Sequence, residues 1–137
     1  MYTELQVTTN FSFLRGASHI EELVARAAVL RLPALGITDR NSLAGIVRAH
    51  QRVREVGIDL IVGCRLDLTD GPSVLVYPTS RAAYGRLTRL LTLGKQRAGK
   101  ARCELYWPDL AAASEGLIGI LCSDPTACNI ARLKADF

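Results

Sequence analysis

"LPALGITDRNSLAGIVRAH", residues 32–50, is the stretch that decides how this chain reads. Its first part, "LPALGIT", is a short apolar run of the kind found in strands buried on both faces. A polar turn follows, and Asn41 or Ser42 is placed to cap a helix whose buried side would be Leu43, Ile46, Val47 and Val53. Chemistry often sits where a buried strand runs through a polar turn into a helix, and this turn offers Asp39 followed directly by Arg40. The aspartate can cap the helix, bind a ligand or act as a base. The arginine can pair with a carboxylate or hold a phosphate in its planar fork.

Upstream, "TELQVTT" alternates Leu5 and Val7 against Glu4, Gln6 and Thr8, the period of two of a strand with one apolar and one polar face. Such i, i+2 geometry suits an H-x-H metal pair, but the donor types are poor for zinc and one carboxylate does not make a site. "LRGA" reads as a turn. Ser18 and Glu21 have capping-box spacing and open a helix with Ile20, Leu23, Val24 and Ala27 on one stripe.

Downstream, Gly57 ends the second helix and "IDLIVGCRLDL" supplies one or two strands. "GPSVLVYP" is a further apolar strand. Thr79 or Ser80 starts a third helix through Leu87, Leu90 and Leu91 to Gly94, with "GKQRAGKAR" as a basic loop after it. "WPDLAAASEG" reads as a short helix with Pro108 in its first turn, "LIGILC" as a buried strand and the tail from Pro125 as helical. Strands alternating with amphipathic helices indicate an α/β protein with a mainly parallel sheet. The strand ends, where ligands gather, are Thr8–Asn10, Thr38–Arg40, Cys64–Asp67 and Cys122–Asp124.

The 137 residues make about one domain, and 49% apolar with 22% charged residues is the balance of a core former. No apolar run approaches the ~20 residues of a membrane span, and "MYTELQV" lacks signal-peptide character, so a cytoplasmic protein without membrane contact is expected. The four cysteines, Cys64, Cys103, Cys122 and Cys128, form no C-x-x-C pair and read as small hydrophobes. His19, in a helix's first turn, reads as solvated, and His50 as a packed imidazole. No Ser/His/Asp order, phosphate loop or dinucleotide glycine motif occurs.

The formal charge of +4 is unevenly spread. Residues 71–103 contain no acid but hold Arg81, Arg86, Arg89, Lys95, Arg97, Lys100 and Arg102. Such clustering is either a solvated face or a track for a phosphate backbone. Arg86, Arg89, Lys95, Arg97, Lys100 and Arg102 are the candidate nucleic-acid or phosphate contacts.

As a whole, "ELQVTTNFSFLRGASHIEELVARAAVLRLPALGITDRNSLAGIVRAH", "IVGCRLDL", "YPTSRAAYGRLTRLLTLGKQRAGKARCELYWPDL" and "SEGLIGIL" resemble the N-terminal polymerase-and-histidinol-phosphatase (PHP) domain of bacterial C-family DNA polymerases, closest to the error-prone, translesion branch. The resemblance runs from Tyr2 to about Leu121. It implies a distorted (β/α)7 barrel, of which residues 1–137 would be the N-terminal part of a single domain in a much longer polymerase. Active members hold up to three metal ions at the strand ends. Their H-x-H falls here on Gln6 and Thr8, with Glu4 just before it; their T-D-H falls on Thr38, Asp39 and Arg40; and a later glutamate falls on Arg65. Only Asp39 is retained. A divalent ion ~4 Å from one guanidinium meets about 8 kcal/mol of repulsion at an effective dielectric near 20, so Arg40 and Arg65 oppose a metal more than neutral residues would.

The expectation is thus a partial PHP-type barrel with mainly parallel strands and a vestigial site at Glu4, Gln6, Thr8, Asp39, Arg40 and Arg65. Guanidinium pairing with Glu4 or Asp39 would replace metal there, with no cofactor and no catalytic residue. The resemblance implies a scaffolding role in a polymerase used for translesion synthesis and DNA repair. Its partners would be the rest of that chain, DNA, mutagenesis accessory proteins and the sliding clamp. Open strand edges of an incomplete barrel suggest self-association. The rival readings are a residual metal-dependent phosphoesterase or exonuclease using Glu4, Asp39 and Asp67, an arginine-lined phosphate pocket, and a basic nucleic-acid-binding module.

Overall fold

The computed structural model describes residues 2–122 and 125–137; Asp124, expected at a strand end, lies outside the described residues. The chain gathers into two compact units, Met1–Cys64 and Arg65–Phe137.

In the first unit, β1 (Glu4–Val7), α1 (Ile20–Val29), β2 (Ala34–Ile37), α2 (Ile46–Val56) and β3 (Asp59–Val62) follow one another. The sheet order is β1-β2-β3 and both pairings are parallel. The strand reading of "LPALGIT" is right: β2 is the central strand, and Leu35 and Ile37 are buried in the core. Facing them are Ile20, Val24 and Ala27 of α1 and Ile46, Ala49 and Val53 of α2. The apolar period of these two helices closes the layer over the sheet, and burying each Val or Ile side chain contributes about 1.5–3 kcal/mol.

Three details differ from the sequence reading. The capping box of α1 sits one residue later, with the His19 N–H donating to Glu22 Oε2 at 2.9 Å. His19 is therefore the cap, and its Nδ1 also lies 3.0 Å from Asn10 Nδ2. The helix expected after Asn41 or Ser42 begins only at Ile46: Asn41 is left-handed at φ 48°, and the Ser42 hydroxyl accepts from the Ala44 N–H at 3.2 Å, holding a local turn instead of capping. With that start, Val47 falls off the buried stripe and is 76% exposed, Ala49 takes its place, and His50 is exposed rather than packed.

The third difference is in β1. Glu4 pairs with Leu35 and Val7 with Ile37, so three steps on β1 face two on β2. This bulge breaks the alternation. Glu4 and Val7 are half-buried, whereas Leu5 and Gln6 are exposed.

In the second unit, β4 (Cys64–Leu66) starts at the boundary and is followed by β5 (Val74–Pro78), α3 (Arg81–Ala98), α4 (Trp107–Ala113), β6 (Leu117–Leu121) and α5 (Ala127–Asp136). The sheet order is β4-β5-β6, and β5 and β6 are antiparallel, from Val74↔Leu121 to Pro78↔Leu117. The expected dominance of parallel strands thus holds in the first unit and not here. The described strands form two three-stranded sheets and no closed barrel. β6 is also not buried on both sides: Leu117 is buried but Ile118 is 55% exposed.

α3 starts as read, with Ser80 Oγ accepting from the Ala83 N–H at 3.1 Å. It does not stop at Gly94, because Gly94 serves close packing instead. A Cβ there would lie 2.7 Å from both Cys103 Sγ and Leu105 Cδ2, and the Glu104 N–H donates to its carbonyl at 2.9 Å. The helix ends at Gly99, which places Lys95 and Arg97 on the helix rather than in a loop. The tail forms α5, as read. It is tied to the unit by Trp107, whose Nε1 donates to Asp136 Oδ2 at 2.6 Å and whose ring lies 4.5 Å from the Arg132 guanidinium. Of the cysteines only Cys64 is buried, and Cys128 is exposed. No described helix is long and apolar enough to cross a membrane.

Candidate functional site

The carboxyl ends of the first unit's strands are laced together: the Thr38 N–H donates to the Val7 carbonyl at 2.8 Å and the Gly63 N–H to the Ile37 carbonyl at 3.0 Å. Asp39 stands on this platform and is 2% exposed. Its Oδ1 accepts from the Thr9 N–H at 2.8 Å and the Ser12 hydroxyl at 2.6 Å, and its Oδ2 accepts from the Thr9 hydroxyl at 2.7 Å. A carboxylate has about four lone-pair positions, so at most one is left for anything else. Hydrogen bonding of this kind is what lets a carboxylate lie in a core.

The same hydroxyls reach outward. Thr9 Oγ1 accepts from the Phe11 N–H at 3.1 Å and Ser12 Oγ from the Arg40 N–H at 2.9 Å. Cys64 Sγ lies 3.4 Å from the Asp39 carbonyl. The turn 9–16 is therefore folded onto the end of β2, with Ser12 receiving the Arg15 and Gly16 N–H groups on its carbonyl. Gly16 is obligatory there, since a Cβ would sit 2.1 Å from the Thr9 carbonyl oxygen. Sequence reading treats "LRGA" as a turn and misses Thr9 and Ser12 as the partners of Asp39. Their T-x-x-S spacing was the available signal, because threonine and serine hydroxyls bond nearby backbone in turns.

The other expected site positions are engaged differently. Glu4 is held by its own strand: the Tyr2 hydroxyl donates to Oε2 at 2.6 Å and the Gln6 N–H to Oε1 at 2.9 Å. These two bonds, the tyrosine's first, keep the Glu4 carboxyl below the usual carboxylate range. Gln6 is exposed and Thr8 half-buried, and the bulge keeps them from forming one face with Glu4. Arg40 is half-buried. In the second unit, Arg65 Nε donates to Asp67 Oδ1 at 2.9 Å and Arg65 Nη2 to Ser73 Oγ at 3.1 Å, while the Ser73 hydroxyl donates to the same Asp67 oxygen at 2.7 Å. The expected guanidinium–carboxylate pairing thus occurs at Arg65, with Asp67 rather than Glu4 or Asp39 as the acceptor.

The six candidate cations divide into two groups. Arg86 donates through Nε and Nη2 to the Glu115 carbonyl at 3.0 and 2.6 Å. Arg97 grips Asp109 at two points, Nη1 to Oδ2 and Nη2 to Oδ1, and Asp109 also accepts from the Tyr106 N–H at 3.0 Å. The Arg97 guanidinium is the main reason the Asp109 carboxyl lies below its usual range. These two arginines tie α3 to the ends of α4. Arg89, Lys95, Lys100 and Arg102 are exposed.

The model of the PHP domain family matches residues 4–135. The chain belongs to that family. Similarity also extends through α5, beyond the point near Leu121 where resemblance to known motifs ends. An error-prone DNA polymerase of Agrobacterium fabrum is 61% identical over 134 residues, 97% of this chain and 12% of the polymerase. One of Rhizobium meliloti is 65% identical over 123 residues, 90% of this chain and 11% of the polymerase. This PHP chain therefore spans about an eighth of the length of these relatives. Among solved structures, an amidohydrolase from Chromobacterium violaceum superposes with a TM-score of 0.59 at 21% identity, over 69% of this chain and 33% of its own. A protein from Bifidobacterium adolescentis assigned as a metal-dependent phosphoesterase gives 0.57 at 18%, over 82% and 49%. At such identities these two show the fold alone.

PHP-domain metal chemistry needs several imidazoles and carboxylates around one point. Here the residues do not fit it: no group of three or more His, Cys, Asp or Glu among the described residues is arranged to hold a metal ion. The retained aspartate is already occupied by Thr9 and Ser12.

Proposed function

We propose that this chain is the PHP module of an error-prone DNA polymerase acting in translesion synthesis and DNA repair, and that it works as a scaffold without metal-dependent hydrolysis. It would correspond to the N-terminal part of a distorted (β/α)7 barrel. The observation that carries the scaffold reading is the Asp39 carboxylate, 2% exposed and bonded to the Thr9 N–H, the Thr9 hydroxyl and the Ser12 hydroxyl. A ligand carboxylate must present free lone pairs to an open position. This one spends three of its about four on the turn 9–16, so the strand ends are joined by hydrogen bonds where active relatives would use metal. The high identity to error-prone polymerases supports the parent activity. On this reading the polymerase chemistry lies in other segments, and the partners are the rest of that chain, DNA and mutagenesis accessory proteins.

The test is elemental analysis of purified protein after exposure to zinc and manganese, with phosphoester hydrolysis assayed alongside. The expected result is far less than one ion per chain and no turnover. Stoichiometric metal together with hydrolysis that disappears in Asp39→Asn would overturn the scaffold reading in favour of a residual phosphoesterase.

A further inference from the structure

We propose that the solvent face of α3, with the turn that follows it, binds the sugar–phosphate backbone of DNA. The inference stands on the charge and shape of this face and does not rest on the scaffold reading. Of the seven cations in the acid-free segment 71–103, Arg86 is committed to Glu115, just past the end of α4, and Arg97 to Asp109 of α4. The other five, Arg81, Arg89, Lys95, Lys100 and Arg102, are exposed, and their side chains make no hydrogen bond or ion pair among the described residues. Asp109, the carboxylate that lines one groove with Arg89, is already gripped by Arg97, so the five exposed cations are balanced chiefly by water and counterions. A polyanion that displaces those counterions gains their release.

The shape of the face agrees with such a ligand. The buried side of α3 is Ala83, Leu87, Leu90, Leu91 and Gly94. At 3.6 residues per turn, Arg81, Gly85, Thr88, Arg89, Thr92, Lys95 and Gln96 fall on the opposite side, and Arg81 to Lys95 spans about 21 Å. Gly85, Thr88 and Thr92, between Arg81 and Lys95, have short side chains or none. Gly85 lies in mid-helix, where glycine is costly, and a Cβ there would meet nothing within 4 Å. No packing inside the unit calls for a glycine at that position. A stretch of short side chains flanked by cations admits a phosphate chain close to the helix while arginine and lysine heads reach its oxygens.

The experiment is fluorescence anisotropy of labelled 20-nucleotide DNA, single-stranded and duplex, titrated with the protein between 50 and 200 mM salt. With four to five phosphates neutralised, duplex affinity is expected to fall about 100-fold or more over that range, and single-strand affinity somewhat less. Arg89→Glu and, separately, Lys100→Glu should each weaken binding about tenfold at low salt and flatten the salt dependence. Arg54→Glu, the same charge change on an exposed position of α2, should leave affinity within about twofold. Both α3-side variants should keep the parent melting temperature, since neither side chain has a partner to lose. Absence of binding to either DNA at 50 mM salt would overturn the proposal. So would equal weakening by Arg54→Glu and the α3-side variants, which would reduce the effect to net charge.

Discussion

Asp39 in the first unit and Asp109 in the second are the same side chain put to opposite uses. Asp39 is buried and is served by two hydroxyls and a backbone N–H. Asp109 lies near the surface and is gripped by a guanidinium at two points while it caps α4 through the Tyr106 N–H. Burial accounts for the difference in energy. Removing the acceptor from a dry site strands every donor aimed at it, whereas water can replace an exposed partner. The buried carboxylate is thus the polar element of its unit that tolerates least change, and the exposed arginine clamp tolerates more.

The largest effect that would break this contrast belongs to Asp39→Ala. It leaves the Thr9 N–H and two hydroxyls without an acceptor, so urea denaturation should show a loss of about 3–5 kcal/mol. A loss under about 1 kcal/mol would mean the turn 9–16 does not depend on the carboxylate. Asp39→Asn should recover only part of the loss, because the amide nitrogen turns a donor toward donors.

Asp109→Asn sharpens the other side of the comparison and should cost clearly less. The Asp109 carboxyl is held below its ordinary value. Its contribution is therefore complete above the unfolded carboxylate pKa, about 4, and is lost as pH falls through the lower folded value. Thermal melts from pH 6 down to 2 should show the parent losing stability in that acid window and Asp109→Asn losing less. Identical slopes would show that the Arg97 clamp contributes nothing that depends on charge.

Gly85→Ala should have a smaller effect of the opposite sign. Its side chain would enter open space on a helix, so stability should rise by about 0.5–1 kcal/mol. If stability falls instead, the glycine has a packing role that its surroundings do not show. Thr38→Val is expected to change least. The Thr38 hydroxyl is buried and has no hydrogen-bond partner among the described residues, so replacing it with a methyl strands nothing, removes an unpaired polar group and should raise the denaturation midpoint slightly.

Much of the fold was legible because local periods report local burial. "LPALGIT" is the central strand, the stripe of α1 is the buried one, and Ser80 caps α3. The misreadings fall where distant chain decides. Gly94 looked like a helix stop, but the segment 103–105 packs on it and the helix continues. "LIGILC" reads as a buried strand in a mainly parallel sheet, but an apolar run carries no information about direction, and this one pairs antiparallel with β5. At the candidate site, the residue types at Gln6, Thr8, Arg40 and Arg65 already argued against metal, whereas the bulge that separates Glu4 from Gln6 was invisible.

The amino-acid sequence by itself determined that this is an α/β chain with an aspartate at a strand end, an arginine directly after it, and a cationic segment free of acids. Periodicity, composition and charge are properties of neighbours along the chain, and they need no fold to be read. Only the tertiary structure decided what each polar group is bonded to. Thr9 and Ser12 reach Asp39 from thirty and twenty-seven residues away, and Arg97 finds Asp109 across a helix end. A hydrogen bond requires its partners within about 3 Å, and only the folded backbone brings such distant residues that close.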